Sequence, residues 1–158
     1  MLKLTRQVEY ALIALKHMYE ASDKPIVAVR EICDTHQIPF DATARVLQKL
    51  TRKGILTSVQ GTHGGYQLES DLNDVNFYTF IEIVVGPLEL AACMGVSGSC
   101  ALVETCNIIS PLSILNDRLS DFYKSISLGE LFDASSPRET TIRERFKSQE
   151  TGTPTANQ

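Results

Sequence analysis

Apolar residues in this chain fall into blocks of helical period, interrupted once by a strand-like alternation. In the first block Val8, Ala11, Leu12, Leu15 and Tyr19 recur every three or four residues, which predicts a helix to about Glu20, capped by Thr5 and closed by Ser22-Asp23-Lys24-Pro25. Ile26-Val27-Ala28 leads into a short helical segment, Val29–His36. Gln37-Ile38-Pro39 follows, and then a longer segment whose apolar face is Phe40, Ala44, Leu47 and Leu50. Gly54 stands where this helix must stop, since glycine accepts the left-handed conformation that ends helices. Residues 55–60 alternate apolar and polar as a strand does, and Gly61-Thr62-His63-Gly64-Gly65 turns the chain back into Tyr66-Gln67-Leu68. Helix, tight turn, helix, strand, glycine-rich turn, strand is the order of a winged helix-turn-helix. Such a unit lays its second helix in the major groove of double-stranded DNA and its hairpin near the minor groove or the backbone.

Residues 69–74 are acidic and polar, a linker. Asn76 caps a helix through Phe77, Phe80, Ile81, Val84 and Val85, which Gly86-Pro87 ends. A serine cap and a first-turn proline, Ser110-Pro111, open a further helix in which Leu112, Leu115, Leu119, Phe122 and Ile126 follow the spacing of a coiled-coil seam. About two heptads could serve core packing, but one apolar seam on a long terminal helix reads as an interface. Two such helices would make a two-fold homodimer that presents two recognition helices to a pseudo-palindromic operator. Ser127 and Glu130 form a capping-box pattern before Leu131-Phe132. Beyond Asp133 the chain has little apolar content, which predicts disorder. The expected architecture is mainly α with a small β-hairpin wing: a DNA-binding domain over residues 1–87, a cysteine-bearing loop over 88–109, a dimerisation helix and short terminal helix over 110–133, and a disordered tail over 134–158.

Charge sharpens this picture. The chain has a formal net charge of −4, yet residues 1–66 carry 9 basic and 6 acidic side chains while residues 67–158 carry 6 and 13. Arg45, Lys49, Arg52 and Lys53 concentrate positive charge on and just after the second helix of the unit. Taken alone, that run also suits a solvated helix face; beside a glycine-rich hairpin it suits phosphate binding. Thr43, Arg45, Gln48, Lys49 and Arg52 are the outward candidates, with Arg45 and Gln48 able to read base edges and Lys49 and Arg52 placed for phosphates. Gln60, Thr62 and His63 are the candidates on the wing. Arg6, Glu9, Lys16 and Glu20 interrupt the first apolar block, so it reads as neither a signal peptide nor a membrane span, and a cytoplasmic location is expected. No phosphate loop, nucleophile elbow or paired-acid motif points to an enzyme.

Four cysteines in such a compartment argue for metal or redox chemistry rather than disulfides. Cys33, among Val29, Ile32 and Ile38, reads as a small core residue. Cys93, Cys100 and Cys106 lie at intervals of seven and six residues in a loop that also holds Gly95 and Gly98. Zinc sites more often show close pairs two residues apart. Three spread thiolates suit an iron-sulfur cluster, and they leave it one ligand short. Glu9, otherwise a first-turn carboxylate favoured by the helix dipole, and His36, otherwise a cation at a helix C-terminus, are the candidates to complete it.

The run VQGTHGGYQL, preceded by KGIL and by LTRQVEYAL far upstream, resembles the winged-helix regulators typified by IscR, NsrR and RsrR. The resemblance covers roughly residues 2–133 and implies a transcriptional regulator, most often a repressor, that reads an iron-sulfur cluster or another small signal such as redox state, nitric oxide or iron-sulfur status. NsrR-like members imply three cysteines and a carboxylate around a four-iron cluster. RsrR-like members imply Glu9 and His36 with two cysteines, here Cys100 and Cys106, around a two-iron cluster, and the presence of His36 favours that pattern. The IscR-like arrangement needs a histidine three residues past the last cysteine, where this chain has Ile109. IscR-like members also carry an arginine at the position of Gln60, so their base preference does not transfer. The alternative reading keeps the winged helix without a cluster, its cysteines sensing thiol chemistry or zinc, or its surface binding a partner enzyme.

Overall fold

The computed structural model describes residues 3–21, 24–94 and 100–133. Helix α1 (Arg6–Glu20) begins as its sequence predicts, with Thr5 Oγ1 accepting from Val8 N. Its buried face is Val8, Ala11, Ala14, Leu15 and Met18, with Leu12 and Tyr19 at the margin. Helix α2 (Val29–His36) ends at Gln37, the one non-glycine residue with positive φ (54°) among the described residues. The Gln37 side chain donates to Asp34 O at 2.7 Å, and Ile38 N donates to Cys33 O, so the strained residue closes the helix and turns the chain at once.

Helix α3 (Phe40–Arg52) buries Thr43, Val46, Leu47 and Leu50. The expected face was Phe40, Ala44, Leu47 and Leu50; the helix is rotated from it, and Phe40 stays 46% exposed beneath the Arg30 guanidinium, 5.6 Å from its ring centroid. Thr43 tolerates the interior because its hydroxyl donates to Pro39 O at 2.8 Å, so no polar group is left unpaired. After Gly54 (φ +75°) strands β1 (Leu56–Val59) and β2 (Gly65–Leu68) pair antiparallel, with Leu56 opposite Leu68 and Val59 opposite Gly65.

Val27 extends this wing, exchanging both backbone hydrogen bonds with Tyr66 at 2.9 Å. That close approach requires glycine at two positions. A Cβ on Gly65 would run into Val27 O, and one on Gly64 into Val59 O.

Helix α4 (Phe77–Val85) is capped by Asn76, whose Oδ1 accepts from Thr79 N at 2.8 Å. A 3-10 turn, η1 (Ala92–Met94), follows, and α5 (Ile109–Lys124) and α6 (Leu128–Asp133) complete the chain. Helix α5 starts one residue before the expected serine cap. Ile108 is its N-cap, and Pro111 falls inside the first turn, where no intrahelical N–H partner is needed. Phe77 N donates to Ile126 O and Leu128 N to Val75 O, which pins the α5–α6 junction to the start of α4. Leu128 and Phe132 of α6 thereby join the core formed by Leu15, Ile32, Leu47, Leu50, Leu56, Leu72 and Phe80. Among the described residues no helix is long and apolar enough to cross a membrane. The expected tail over 134–158 lies outside the described residues.

Candidate functional site

Helix α3 and the wing share one face of the molecule. Arg45, Gln48 and Arg52 are exposed on α3, and Gln60, Thr62 and His63 are exposed at the wing tip. Gln48 and Arg52 line a groove with Thr51, Ser58 and Tyr66, so the basic helix and the hairpin frame one concave surface. Lys24, Ile26, Ala28 and Glu31 form a second shallow cleft with Thr62, His63 and Gly64, which seats the wing tip against the approach to α2.

Two of the sequence-derived DNA contacts are placed otherwise. Thr43 is fully buried and its hydroxyl is committed to Pro39 O, so it faces the core. Lys49 sends its ammonium to Val84 O in the last turn of α4 and to Gln7 Oε1 at 3.3 Å. A carbonyl at a helix C-terminus lacks an intrahelical partner and sits at the negative end of the helix dipole, which explains why the cation turns inward.

The candidate cluster ligands are spread over the chain. Cys93 lies in the 3-10 turn, and Cys100 and Cys106 lie before α5; all three are half-buried free thiols. Cys33 is a buried free thiol in the core, as its apolar neighbours predict. Residues 95–99 lie outside the described residues. Leu90 N donates to Asn116 Oδ1 at 3.1 Å, which ties the entry of the loop to α5. Glu9 is ion-paired with Arg6 at 2.7 Å, with its side chain 39% exposed. His36, exposed at the end of α2, places Nε2 3.0 Å from Nδ1 of His17.

Glu9, Ile13 and His17 recur every four residues, so they line one strip of α1, and His36 joins that strip at its far end. Eight residues of helix put about 12 Å of axial distance between Glu9 and His17. Soft thiolates, a carboxylate and an imidazole suit an iron-sulfur cluster in kind. Among the described residues of one chain, however, no three His, Cys, Asp or Glu side chains converge on a point that could hold a metal ion.

His17 and Glu31 were not legible from sequence. Only the four-residue recurrence from Glu9 to His17 hinted at the first. The contact of His17 with a residue 19 positions away arises from the packing of α1 against α2. Glu31, which His17 Nε2 faces at 3.9 Å, has its carboxyl held below the usual range, chiefly by the hydrogen bond from Lys24.

Helix α5 is divided lengthwise. Tyr123 packs edge-on against Phe77 with ring centroids 5.2 Å apart, and Ile126 packs on the core. The expected seam is split by this contact: Leu112 and Leu119 are half-buried, while Leu115 and Phe122 are 53% and 57% exposed. Ile108, Leu115 and Phe122 continue at intervals of seven as an outward apolar stripe, with Ile114 beside it.

Two helices with a tight turn, a hairpin wing and a basic exposed helix define a winged helix-turn-helix DNA-binding protein. The Rrf2 family, described as an iron-dependent transcriptional regulator, matches residues 4–134, and the chain belongs to this family. The regulator IscR of Vibrio campbellii is 29% identical over 143 residues, covering 90% of this chain and 84% of that protein. IscR of Escherichia coli is 26% identical over 155 residues, covering 94% and 95%. Among solved structures, CymR of B. subtilis, described as a global cysteine regulator, superposes with a TM-score of 0.66 at 18% identity, over 86% of this chain and all of that one. IscR of T. potens gives 0.64 at 17% identity, over 87% and 91%. These relatives are transcriptional regulators rather than enzymes, and the chain is a DNA-binding transcriptional regulator of the same kind.

Proposed function

We propose that the protein is a homodimeric repressor whose operator affinity is set by an iron-sulfur cluster that reports redox state, nitric oxide or iron-sulfur status. The observation that carries this reading is the division of the donor set. Cys93, Cys100 and Cys106 approach α5, Glu9 and His36 lie along α1, and one chain does not bring three of these donors together among its described residues. A second chain supplies what one lacks. The stripe Ile108, Leu115 and Phe122 is the surface on which two copies would pair, and the pairing would set two α3 helices on a pseudo-palindromic site.

In this reading Cys100 and Cys106 with Glu9 and His36 hold a two-iron cluster, and Cys93 with the other two cysteines and Glu9 would serve a four-iron cluster instead. The bound cluster supplies a charge that changes with its oxidation state. The protein's own part is to hold the loop between α4 and α5 against the DNA-binding unit, so that altered loop packing biases the spacing of the two α3 helices. Arg45 and Gln48 read base edges, Arg52 meets phosphate, and Gln60, Thr62 and His63 lie along the backbone at the wing.

The test is an absorption spectrum of anaerobically purified protein, with iron and acid-labile sulfide assayed on the same sample and mass measured by sedimentation. A coloured dimer with equal iron and sulfide is expected. A colourless chain that takes up no cluster on reconstitution would overturn the sensor reading.

A further inference from the structure

We propose that His17 is a positioning residue for His36, holding that ring by Nε2 and leaving Nδ1 as the nitrogen that binds iron. The inference rests on the reading of His36 as a cluster ligand. His17 is a sheltered side chain, 17% exposed, in the second half of α1. Its Nδ1 lies 3.0 Å from His36 Nε2, with the rings at 89° and their centroids 5.1 Å apart. Its other nitrogen, Nε2, faces Glu31 Oε1 at 3.9 Å, and Lys24 on the far side of that carboxylate keeps it ionised.

These contacts select a tautomer. A neutral imidazole carries one N–H and one bare nitrogen. The Glu31 anion favours the His17 proton on Nε2, which makes His17 Nδ1 the acceptor. His36 Nε2 is then the donor, and His36 is left with a bare Nδ1. A metal-binding histidine has this arrangement, one nitrogen anchored through its N–H by the protein and the other free for the metal. Glu31, His17 and His36 form a line rather than a cage, because the two nitrogens of His17 address different partners. They therefore do not enclose an ion of their own, in keeping with the lack of a converging donor set among the described residues.

Two measurements test this. In the chain without cluster, nitrogen NMR of the histidine rings should show His36 protonated at Nε2, and His17→Phe, which keeps a ring without nitrogens, should abolish that preference. In the anaerobically loaded protein, the nitrogen hyperfine couplings of the reduced cluster and its midpoint potential should shift in His17→Phe and in Glu31→Gln. They should return to native values in His17→Gln, whose carbonyl can accept the same hydrogen bond. His36→Ala separates the two ways of failing. If it leaves the couplings intact, His36 is not a ligand and the inference falls with that assignment. If it removes them while His17→Phe keeps the native tautomer and potential, only the role of His17 falls. Finding the His36 proton on Nδ1 in the native chain would overturn the inference directly.

Discussion

Replacing Lys49 by methionine distinguishes a phosphate-binding role from a structural tie. Its ammonium donates to Val84 O at the end of α4 and to Gln7 Oε1, so it links α3 to the helix that leads into the cysteine loop and to α1. A hydrogen bond involving a charged group contributes about 1.5–3 kcal/mol. Lys49 is partly exposed, and solvent screening reduces that to about 1–2 kcal/mol. Methionine keeps the packing of the stem and leaves the Val84 carbonyl without its cation. In a chain of 158 residues each kcal/mol lowers Tm by about 2–4 °C, so a drop of about 2–8 °C is expected by calorimetry. Operator titrations over a range of salt provide the contrast. Each phosphate that the protein no longer neutralises should flatten the slope of log affinity against log salt by about 0.9. Lys49→Met should leave that slope unchanged, whereas Arg52→Gln should flatten it. A Lys49→Met protein with native Tm and a flattened slope would refute the structural role.

Three further outcomes follow from the same geometry. Gly65→Ala forces a methyl group into the Val27 carbonyl, so it should cost about 1–3 kcal/mol by the usual scale of overpacking and weaken operator binding; native Tm and affinity would show that the wing does not need the Val27 pairing. Leu115→Asp with Phe122→Asp should convert the protein to a monomer in sedimentation without unfolding it, since both side chains are exposed within one chain; a persistent dimer would place the interface elsewhere. Glu31, whose carboxyl is held below its ordinary value of 4.5, contributes stability that is present above that value and lost as pH falls through the lower folded value. Glu31→Gln should therefore flatten the acid limb of the stability curve below about pH 4.5, and an acid limb identical to the native one would discount the Lys24 pair.

Local rules were enough to read the element order. The Thr5 and Asn76 caps, the stop at Gly54 and the glycine-rich wing turn act within a few residues of themselves, and the structure places each where those rules predict. The wing also carries the family resemblance, because its glycines answer to a backbone constraint that few other residues satisfy. The buried face of α3 was not legible, because Thr43 counts as polar until Pro39 O is seen to accept its hydroxyl.

The direction of a long side chain was equally hidden. Lys49 belongs to a basic run by sequence, but only the juxtaposition of α3 with the end of α4 offers it a better partner than solvent. The same holds for His17, whose significance depends on a ring 19 residues away. The sequence by itself determined the helices, the hairpin, the excess of positive charge at the N-terminal end and the presence of three loop thiols. Tertiary structure decided which residues of α3 remain free, that α5 keeps an apolar stripe outside the core, and that His36 is met by His17. Periodicity and capping are short-range properties of the chain, whereas the partner of a polar group is set by whichever distant element packs beside it.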